Sequence, residues 1–188
     1  EGPEQGGAYG PYRQSERMAL GLYRDYADRL VALGHAYCCF CTDAELDLAR
    51  QAAEVAKQPY VYDRRCRHLS ESDVASKKDA GIPFVVRFKM PDNGAYHFSD
   101  LIRGDIVFDL NLISDFVMIK SDGGPSYNFA VVVDDVDMAI SHVVRGEDHI
   151  SNTPRQLVIY EALGVTPPRF AHLPIILGPD RSKLSKRH

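Results

Sequence analysis

Residues 127–149 contain two apolar runs, and each run is followed by charged residues. The second run, residues 140–144, is rich in β-branched side chains and is followed directly by Arg145. This pattern predicts a buried strand with charged residues at its C-terminal end. The first run, residues 127–133, fits two structures: its β-branching favours a strand, whereas the short spacing before the next strand favours a helix.

Helical periodicity and capping residues predict the helices. Ser15 is expected to cap a helix that ends at residue 33, before Gly34. The apolar face of this helix would contain Met18, Leu22, Tyr26, Leu30 and Leu33.

Three further helices carry their own capping signals. Thr42 and Glu45 have the spacing of a capping box, which predicts a helix that ends near residue 57. Ser70 is expected to cap a helix over residues 71–79. Thr153 is expected to cap the last helix, which has Pro154 in its first turn and closes at residue 164.

The central part of the chain has the period of β-strands. Residues 82–90, 96–98 and 102–110 are predicted as three antiparallel strands, with a turn at residues 92–94. Further strands are predicted at residues 116–120 and, buried, at 173–177.

The order of these elements predicts an α/β fold in three segments. Residues 1–35 would be the trailing part of the first half of a nucleotide-binding fold, and residues 116–188 its second half. Residues 36–115 would form an inserted α+β module.

Composition narrows the class of protein. The chain is 45% hydrophobic and 26% charged, values that are ordinary for a globular protein. No apolar run approaches the roughly 20 residues that span a bilayer, so no membrane contact is expected. The net charge of -4 argues against wholesale coating of nucleic acid, although a local basic patch would suffice for phosphate contacts. We expect a monomer in the cytoplasm, with an organelle as the alternative.

Four potential metal ligands occur in two pairs. Cys39 and Cys41 are separated from Cys66 and His68 by 24 residues, and two pairs of thiol or imidazole ligands suit tetrahedral zinc. A site with four protein ligands would be closed and therefore structural. The alternative is a set of exposed thiols beside a solvated histidine, while Cys38 is expected to be a small core residue.

Two further features allow opposite interpretations. Arg145 would lie where ligands bind in open α/β sheets, and its guanidinium can hold a carboxylate through two parallel hydrogen bonds; the alternative is an ion pair that closes a loop. The sequence Lys-Leu-Ser-Lys-Arg at residues 183–187 contains three cations that could neutralise a leaving pyrophosphate. A basic tail without function is the alternative.

Taken together, these motifs resemble the bacterial or organellar glutamyl-tRNA synthetases of class I. The K-L-S-K-R sequence is similar to the KMSKS signature of that class. Further similar stretches are G-P-Y-R-Q-S-E-R at residues 10–17, M-I-K-S-D-G at 118–123, Y-N-F-A at 127–130 and V-R-G-E-D-H-I-S-N-T-P at 144–154. The cysteine and histidine array is similar to the zinc element in the acceptor-binding insert, or connective peptide, of some members.

The resemblance implies ATP-dependent activation of glutamate, with Mg²⁺, and transfer of the glutamyl group to the acceptor end of tRNA(Glu). Glutamate would be held by Arg145 and Tyr127. The ATP site would include Asp148, His149, Ile175, Ile176, Lys183 and Lys186, and the KMSKS-type motif would be Lys183, Leu184, Ser185, Lys186 and Arg187. Tyr62, Arg64, Arg65 and Arg67 are candidates for contacts with tRNA, with a solvated basic loop as the alternative.

The sequence departs from the family pattern in several places. It has no HIGH signature and no anticodon-binding region, and it opens on Glu1 rather than Met. We therefore expect a piece of a longer protein, inactive on its own. Val131 stands where some members have a polar residue.

Two other functions remain open at this point. One is glutamyl transfer to a modified tRNA base, by a relative whose KMSKS region usually departs from K-L-S-K-R. The other is a noncatalytic, zinc-stapled RNA-binding module.

Overall fold

The computed structural model describes residues 2–175 of the chain. Its helices are α1 Gln14–Ala19, α2 Leu22–Ala32, α3 Asp43–Val55, α4 Glu71–Asp79, α5 Tyr127–Asp137 and α6 Thr153–Leu163. Its strands are β1 Ala36–Cys39, β2 Val85–Phe88, β3 Ala95–Asp100, β4 Gly104–Asp109, β5 Val117–Ile119, β6 His142–Gly146 and β7 Arg169–Leu173. Within residues 2–175, no helix combines the length and the apolar character that a membrane crossing requires.

The leading helix is broken into two, which corrects the prediction of one helix from Ser15 to residue 33. Gly21 adopts a left-handed conformation with φ 77° between α1 and α2, and Arg13 rather than Ser15 is the N-cap residue of α1. The break changes which side chains face inward: Leu30 is fully buried, whereas Met18 is exposed. The predicted apolar face is therefore only partly correct.

Two of the four predicted helix caps, Thr42 and Ser70, are confirmed. Thr42 accepts a hydrogen bond from the backbone N–H of Glu45, and the Glu45 side chain accepts one from the backbone of Thr42, which completes a capping box at α3. The Ser70 side chain likewise accepts from the backbone N–H of Asp73 at the start of α4.

Two sheets form the framework. A three-stranded antiparallel sheet has the order β1-β2-β5, and a four-stranded mixed sheet has the order β4-β3-β7-β6. In the mixed sheet β3 and β4 form an antiparallel hairpin, while β7 runs parallel to both β3 and β6.

This topology corrects three predictions. The strands predicted at residues 82–90, 96–98 and 102–110 do not share one sheet, because β2 pairs with β1 and β5. The predicted buried strand at 173–177 lies earlier, at Arg169–Leu173. Strand β6 is at an edge of its sheet and so is not buried, and Val144 is 61% exposed.

The ambiguous run after residue 126 is a helix, α5, and its apolar residues belong to the main core. That core draws on all three predicted segments, through residues such as Leu30, Phe88 and Ile159. A second, smaller core surrounds Tyr37 and Cys39. The division at residues 35/36 and 115/116 stays a prediction.

Candidate active site and metal centre

Arg145 lies near the C-terminal end of β6 and is held by uncharged acceptors. Its Nε donates to Nε2 of His172 at 3.1 Å, and its Nη2 donates to the Thr153 hydroxyl at 2.8 Å and to Gln156 Oε1 at 2.9 Å. The Phe170 ring lies below the guanidinium, 5.5 Å from centroid to Cζ. The side chain is thus fixed by neutral groups on two neighbouring elements, α6 and β7.

Among residues 2–175, no carboxylate forms an ion pair with Arg145. The acid that acts on it electrostatically is Asp135, whose carboxylate accepts a hydrogen bond from the Tyr160 hydroxyl at 2.9 Å. Burial lowers the pKa of Arg145, but a guanidinium keeps its proton at any ordinary pH. In the described part of the chain, Arg145 is therefore a half-buried positive charge with an acid nearby but none in direct contact. The interpretation of Arg145 as a loop-closing ion pair finds no partner in the described part of the chain.

Tyr127 and His149, two other predicted site residues, lie at the same place. Their ring centroids are 5.9 Å apart, and Tyr127 also interacts with Arg145 by a hydrogen bond and electrostatically. Tyr127 is the first residue of α5 and is 52% exposed, so its side chain is accessible to solvent beside Arg145. Val131, one turn later on α5, is half-buried.

The loop after β6 is a 3-10 helix, Glu147–Asn152. A Cβ atom on Gly146 would lie 2.5 Å from Asp148 Oδ1, so any side chain at 146 would displace the Asp148 carboxylate. Glu147 accepts a hydrogen bond from the backbone N–H of Ile175 at 3.0 Å and forms an ion pair with Arg103. Glu147 thereby ties the segment after β7 to the end of β6, next to Arg145.

Thr153 does not cap α6, contrary to the prediction. The N-cap residue is Asn152, and no side-chain hydrogen bond caps the helix. The Thr153 hydroxyl is instead engaged by Arg145, and it lies 3.2 Å from Nε2 of His172.

Three thiols form a second cluster, away from Arg145 in the smaller core. The Sγ atoms of Cys39, Cys41 and Cys66 lie within 4.8 Å of one another. The Tyr62 hydroxyl lies 3.2 Å from the Cys39 thiol and 3.5 Å from the Cys41 thiol. His68, the fourth predicted ligand, is exposed and does not belong to the cluster. Three converging thiols suit a zinc ion, with a fourth ligand still required for tetrahedral geometry.

The surroundings of the cluster shift the pKa values of the Cys39 and Cys41 thiols in opposite directions. Burial opposes ionisation of Cys39, but hydrogen bonds from the Tyr62 hydroxyl and the Cys41 backbone, together with the Arg87 guanidinium, lower the pKa of this thiol. Burial and the nearby Cys39 raise the pKa of the Cys41 thiol to about 12. A metal ion at the cluster would favour the thiolate form of all three cysteines.

Comparison with known proteins decides the family. The family model for tRNA synthetases class I (E and Q), catalytic domain, matches residues 3–188. This chain belongs to that family. It has the family's catalytic-domain fold, with mixed α/β sheets.

Individual members of the family are similar over the whole chain. The chain is 56% identical to the glutamate–tRNA ligase of Heliobacterium modesticaldum over 189 residues, which is all of this chain and 38% of the relative. It is 55% identical to that of Aquifex aeolicus over 177 residues, 94% of this chain and 37% of the relative. The chain thus spans less than two fifths of the length of these ligases.

Solved structures show the same fold. The glutamate–tRNA synthetase of Elizabethkingia anophelis has a TM-score of 0.90 and 38% identity, covering 100% of this chain and 39% of that one. The glutamate–tRNA ligase of Elizabethkingia meningosepticum, crystallised with its amino acid, has a TM-score of 0.92 and 38% identity, covering 100% and 38%.

The residues predicted to contact tRNA in this class I synthetase chain are mostly engaged within the protein. Tyr62 is only 3% exposed and faces the thiols, so it is not available for base stacking. Arg64 and Arg67 both form ion pairs with Asp92 and with the buried Asp115.

Arg65 is the most exposed of the four predicted residues, and it too has acidic partners. Its guanidinium lies 2.6 Å from Asp63 and 3.6 Å from Glu45. An incoming phosphate would have to compete with these carboxylates.

A basic cleft that the sequence did not reveal lies beside the thiol cluster. It has a volume of about 350 Å³ and is lined by Arg50, Arg87, Arg155 and Tyr60, and also by the acids Asp43 and Asp115. Arg155 donates to the Ser151 carbonyl and forms no ion pair with a carboxylate within residues 2–175. Arg50 lies over the Tyr60 ring at 5.5 Å. These arginines are far apart in the sequence, so no local motif marks them.

The remaining predicted site residues lie outside the described part of the chain. They are Ile176 and the KMSKS-type residues Lys183, Leu184, Ser185, Lys186 and Arg187.

The sequence did not reveal three polar residues that surround Arg145 or its partners: Asp100, Gln156 and His172. Their sequence signal is weak, because none of them belongs to a local motif and they come together only through the pairing of distant elements.

Proposed function

We propose that this chain is the part of a glutamate–tRNA ligase that recognises the side chain of glutamate and one side of ATP. The observation that carries the proposal is Arg145: a half-buried cation, fixed by neutral acceptors, beside the exposed Tyr127 and the half-buried His149. A fixed positive charge that forms no ion pair within residues 2–175 suits a ligand carboxylate. The ligase names of the relatives support this function over the two alternatives.

The hydrogen bonds of Arg145 refine the expected contact with glutamate. Nε and Nη2 already donate to His172, Thr153 and Gln156. A carboxylate in two parallel bonds at the Nε side would have to displace His172. We infer instead that the ligand carboxylate meets Nη1, with the Tyr127 hydroxyl as a second donor. The charge–charge attraction would favour glutamate over glutamine, whose neutral amide cannot replace it.

ATP, with Mg²⁺, would bind next to this pocket. Asp148 and His149 follow β6, and the backbone of Ile175 is tied to the same loop by Glu147. By family resemblance, Ile175 and Ile176 would receive the adenine, while Lys183 and Lys186 would neutralise charge on the phosphates. These residues would position the reactants and stabilise developing charge, while the α-carboxylate of glutamate attacks the α-phosphorus of ATP and pyrophosphate leaves, which gives glutamyl-adenylate.

The thiol cluster would hold a structural zinc ion. Cys39, Cys41 and Cys66 supply three ligands of the correct type. The Tyr62 phenol is the nearest candidate for the fourth, and His68 could take that position only after its side chain and loop move inward. The ion would join β1 to the loop that contains Cys66.

The acceptor end of tRNA(Glu) would meet the basic cleft rather than the loop at residues 62–67. Arg50 and Arg155 have fewer acidic partners than Arg64 and Arg67, and Tyr60 offers an aromatic face. Phosphate contacts from arginine and stacking on aromatic rings are the usual means of binding RNA ends.

A binding experiment with stable analogues tests the proposed function. Non-hydrolysable analogues of glutamyl-adenylate and glutaminyl-adenylate would be titrated into the chain by calorimetry. We expect the glutamyl analogue to bind at least tenfold more tightly. Equal affinities, or no binding of either analogue, would contradict the proposal.

A further inference from the structure

A buried aspartate–histidine pair lies behind Arg145. Asp100, the last residue of β3, places its Oδ2 atom 2.6 Å from Nδ1 of His172 on β7, and both side chains are fully buried. The other oxygen of Asp100 accepts hydrogen bonds from the backbone N–H groups of Ile102, Arg103 and His172, at 2.9–3.2 Å. The Asp100 carboxylate is thus an acceptor on both oxygens.

These contacts determine which nitrogen of His172 carries its hydrogen. An ionised carboxylate can only accept, so Nδ1 of His172 must be the donor in the contact with Asp100. On the opposite side of the ring, Arg145 donates from Nε to Nε2. A guanidinium has no acceptor, so Nε2 must be unprotonated. Both neighbours therefore require the neutral Nδ1–H tautomer.

The ionised state of Asp100 is consistent with this assignment. Burial opposes its ionisation, but the backbone N–H of Arg103 and the His172 side chain stabilise the carboxylate and lower its pKa to about 2. The remaining groups at His172 are neutral: the Thr153 hydroxyl lies 3.2 Å from Nε2, and the Phe170 ring stacks at 6.1 Å.

Because His172 is a neutral acceptor, it fixes Arg145 without neutralising the positive charge. A carboxylate in direct contact would fix the guanidinium equally well but would neutralise its charge. Asp100 contacts the imidazole of His172 and not Arg145 itself. Arg145 is therefore oriented while its charge stays available to a ligand.

We propose that Asp100 and His172 are positioning residues that hold Arg145 for an acidic amino acid, by keeping His172 in the Nδ1–H tautomer. The proposal rests on the proposed recognition of glutamate by Arg145. Because Asp100 is on the β3–β4 hairpin, the predicted insert would contribute indirectly, through His172, to the orientation of Arg145.

Nuclear magnetic resonance of the ¹⁵N-histidine-labelled chain tests the tautomer without any ligand. At pH 7.5 we expect Nε2 of His172 to resonate as an unprotonated nitrogen and Nδ1 as a protonated one. An Nε2–H tautomer, or an imidazolium, would overturn the proposal whatever the affinity for glutamate.

The Asp100→Asn variant tests the effect on Arg145. Asparagine keeps an oxygen for the backbone N–H groups, but its amide donates to Nδ1 and moves the hydrogen to Nε2, where it opposes the Arg145 Nε–H. We expect the His172 resonances to exchange character, the Arg145 Nε–H signal to shift, and glutamate affinity to fall by about tenfold or more.

The His172→Gln variant provides the matched control. A glutamine amide oxygen can accept from Arg145 near the position of Nε2, and it does not depend on a tautomer. Asp100→Asn should therefore have little further effect on glutamate affinity when it is introduced into the His172→Gln protein.

The outcomes separate the two proposals. If the Arg145 Nε–H signal is unchanged in folded Asp100→Asn protein, or if the two substitutions are additive, the positioning proposal fails. If the wild-type chain shows the expected tautomer but binds no glutamate, the proposed function fails while the orientation of Arg145 by His172 stands.

Discussion

The Nε atom of Arg145 lies 3.1 Å from Nε2 of His172, and this contact joins the two parallel strands β6 and β7 at directly paired residues. Neighbouring residues on adjacent strands place their side chains on the same face of the sheet. The register of the sheet thus fixes the guanidinium. The proposed ligand site should therefore be as rigid as the two strands that carry it.

The metal proposal predicts a measurable zinc content. The purified chain should contain about one zinc ion, and chelation should lower its melting temperature. Cys39→Ala should abolish metal binding, because it removes one of three converging thiols. Cys38→Ala, which removes the adjacent buried thiol outside the cluster, should leave the metal content unchanged. Equal metal content in the two variants would refute the site.

The identity of the fourth ligand can be decided by two further variants. If the phenol of Tyr62 completes the tetrahedron, Tyr62→Phe should weaken zinc binding by about tenfold or more, while His68→Ala should have little effect. The opposite result, measured by competition with a chelator, would show that the loop rearranges around the metal to bring His68 inward.

The buried ion pair at Arg17 should be important for stability. Its guanidinium contacts Asp134 at 2.6 Å and also Asp137, and the hydroxyls of Tyr23 and Tyr26 donate to the same two carboxylates. This network joins the leading helices to α5. Arg17→Met should reduce the free energy of unfolding by about 3 kcal/mol, because two carboxylates lose a buried partner.

Arg13→Met is the control for that measurement. Arg13 is exposed and lies 3.9 Å from Glu16 on the same helix, so its loss should cost less than about 0.5 kcal/mol. Chemical denaturation of both variants provides the comparison. A cost at Arg17 as small as that at Arg13 would contradict the assigned role of the network.

Asp100 should contribute to stability in a pH-dependent way. Its pKa in the folded chain is about 2, below the ordinary value of about 3.9 in an unfolded chain. A lowered pKa stabilises the fold above the unfolded pKa, and this contribution is lost as pH falls from about 4 to 2. Wild-type protein should therefore exceed Asp100→Asn in melting temperature at pH 7, by an amount that shrinks below pH 4. A difference independent of pH would contradict this account.

The basic cleft should bind RNA through Arg155, which forms no ion pair with a carboxylate within residues 2–175. Arg155→Gln should weaken binding of an acceptor-end minihelix several-fold. It should also reduce the slope of log affinity against log salt concentration by an amount that corresponds to about one phosphate contact. Arg64→Gln, which removes a cation already paired with Asp92 and Asp115, should have a smaller effect. A larger loss at Arg64 would return the RNA site to the loop at residues 62–67.

Local signals predicted local structure well. The capping box at Thr42 and Glu45 and the cap at Ser70 were identified correctly, because each involves residues three apart in the sequence. The single leading helix was wrong because Gly21 was not recognised as a break.

Sheet assignment failed where it depended on distant pairing. The hydrophobic pattern cannot show that β2 pairs with β5 while β3 pairs with β7. For the same reason the motifs singled out Arg145 and Tyr127 as candidates, but they did not single out Asp100 and His172. Those two residues are 72 positions apart, and only the parallel pairing of β3 and β7 brings them together.

The most direct test of the account is the preference for glutamate over glutamine in wild-type chain and in Arg145→Gln. Equilibrium binding of both amino acids would be measured under identical conditions, with folding verified by circular dichroism. We expect wild-type protein to prefer glutamate by at least tenfold and the variant to lose that preference, because the unpaired charge is gone. If Arg145→Gln retains the wild-type preference for glutamate, the central claim is wrong.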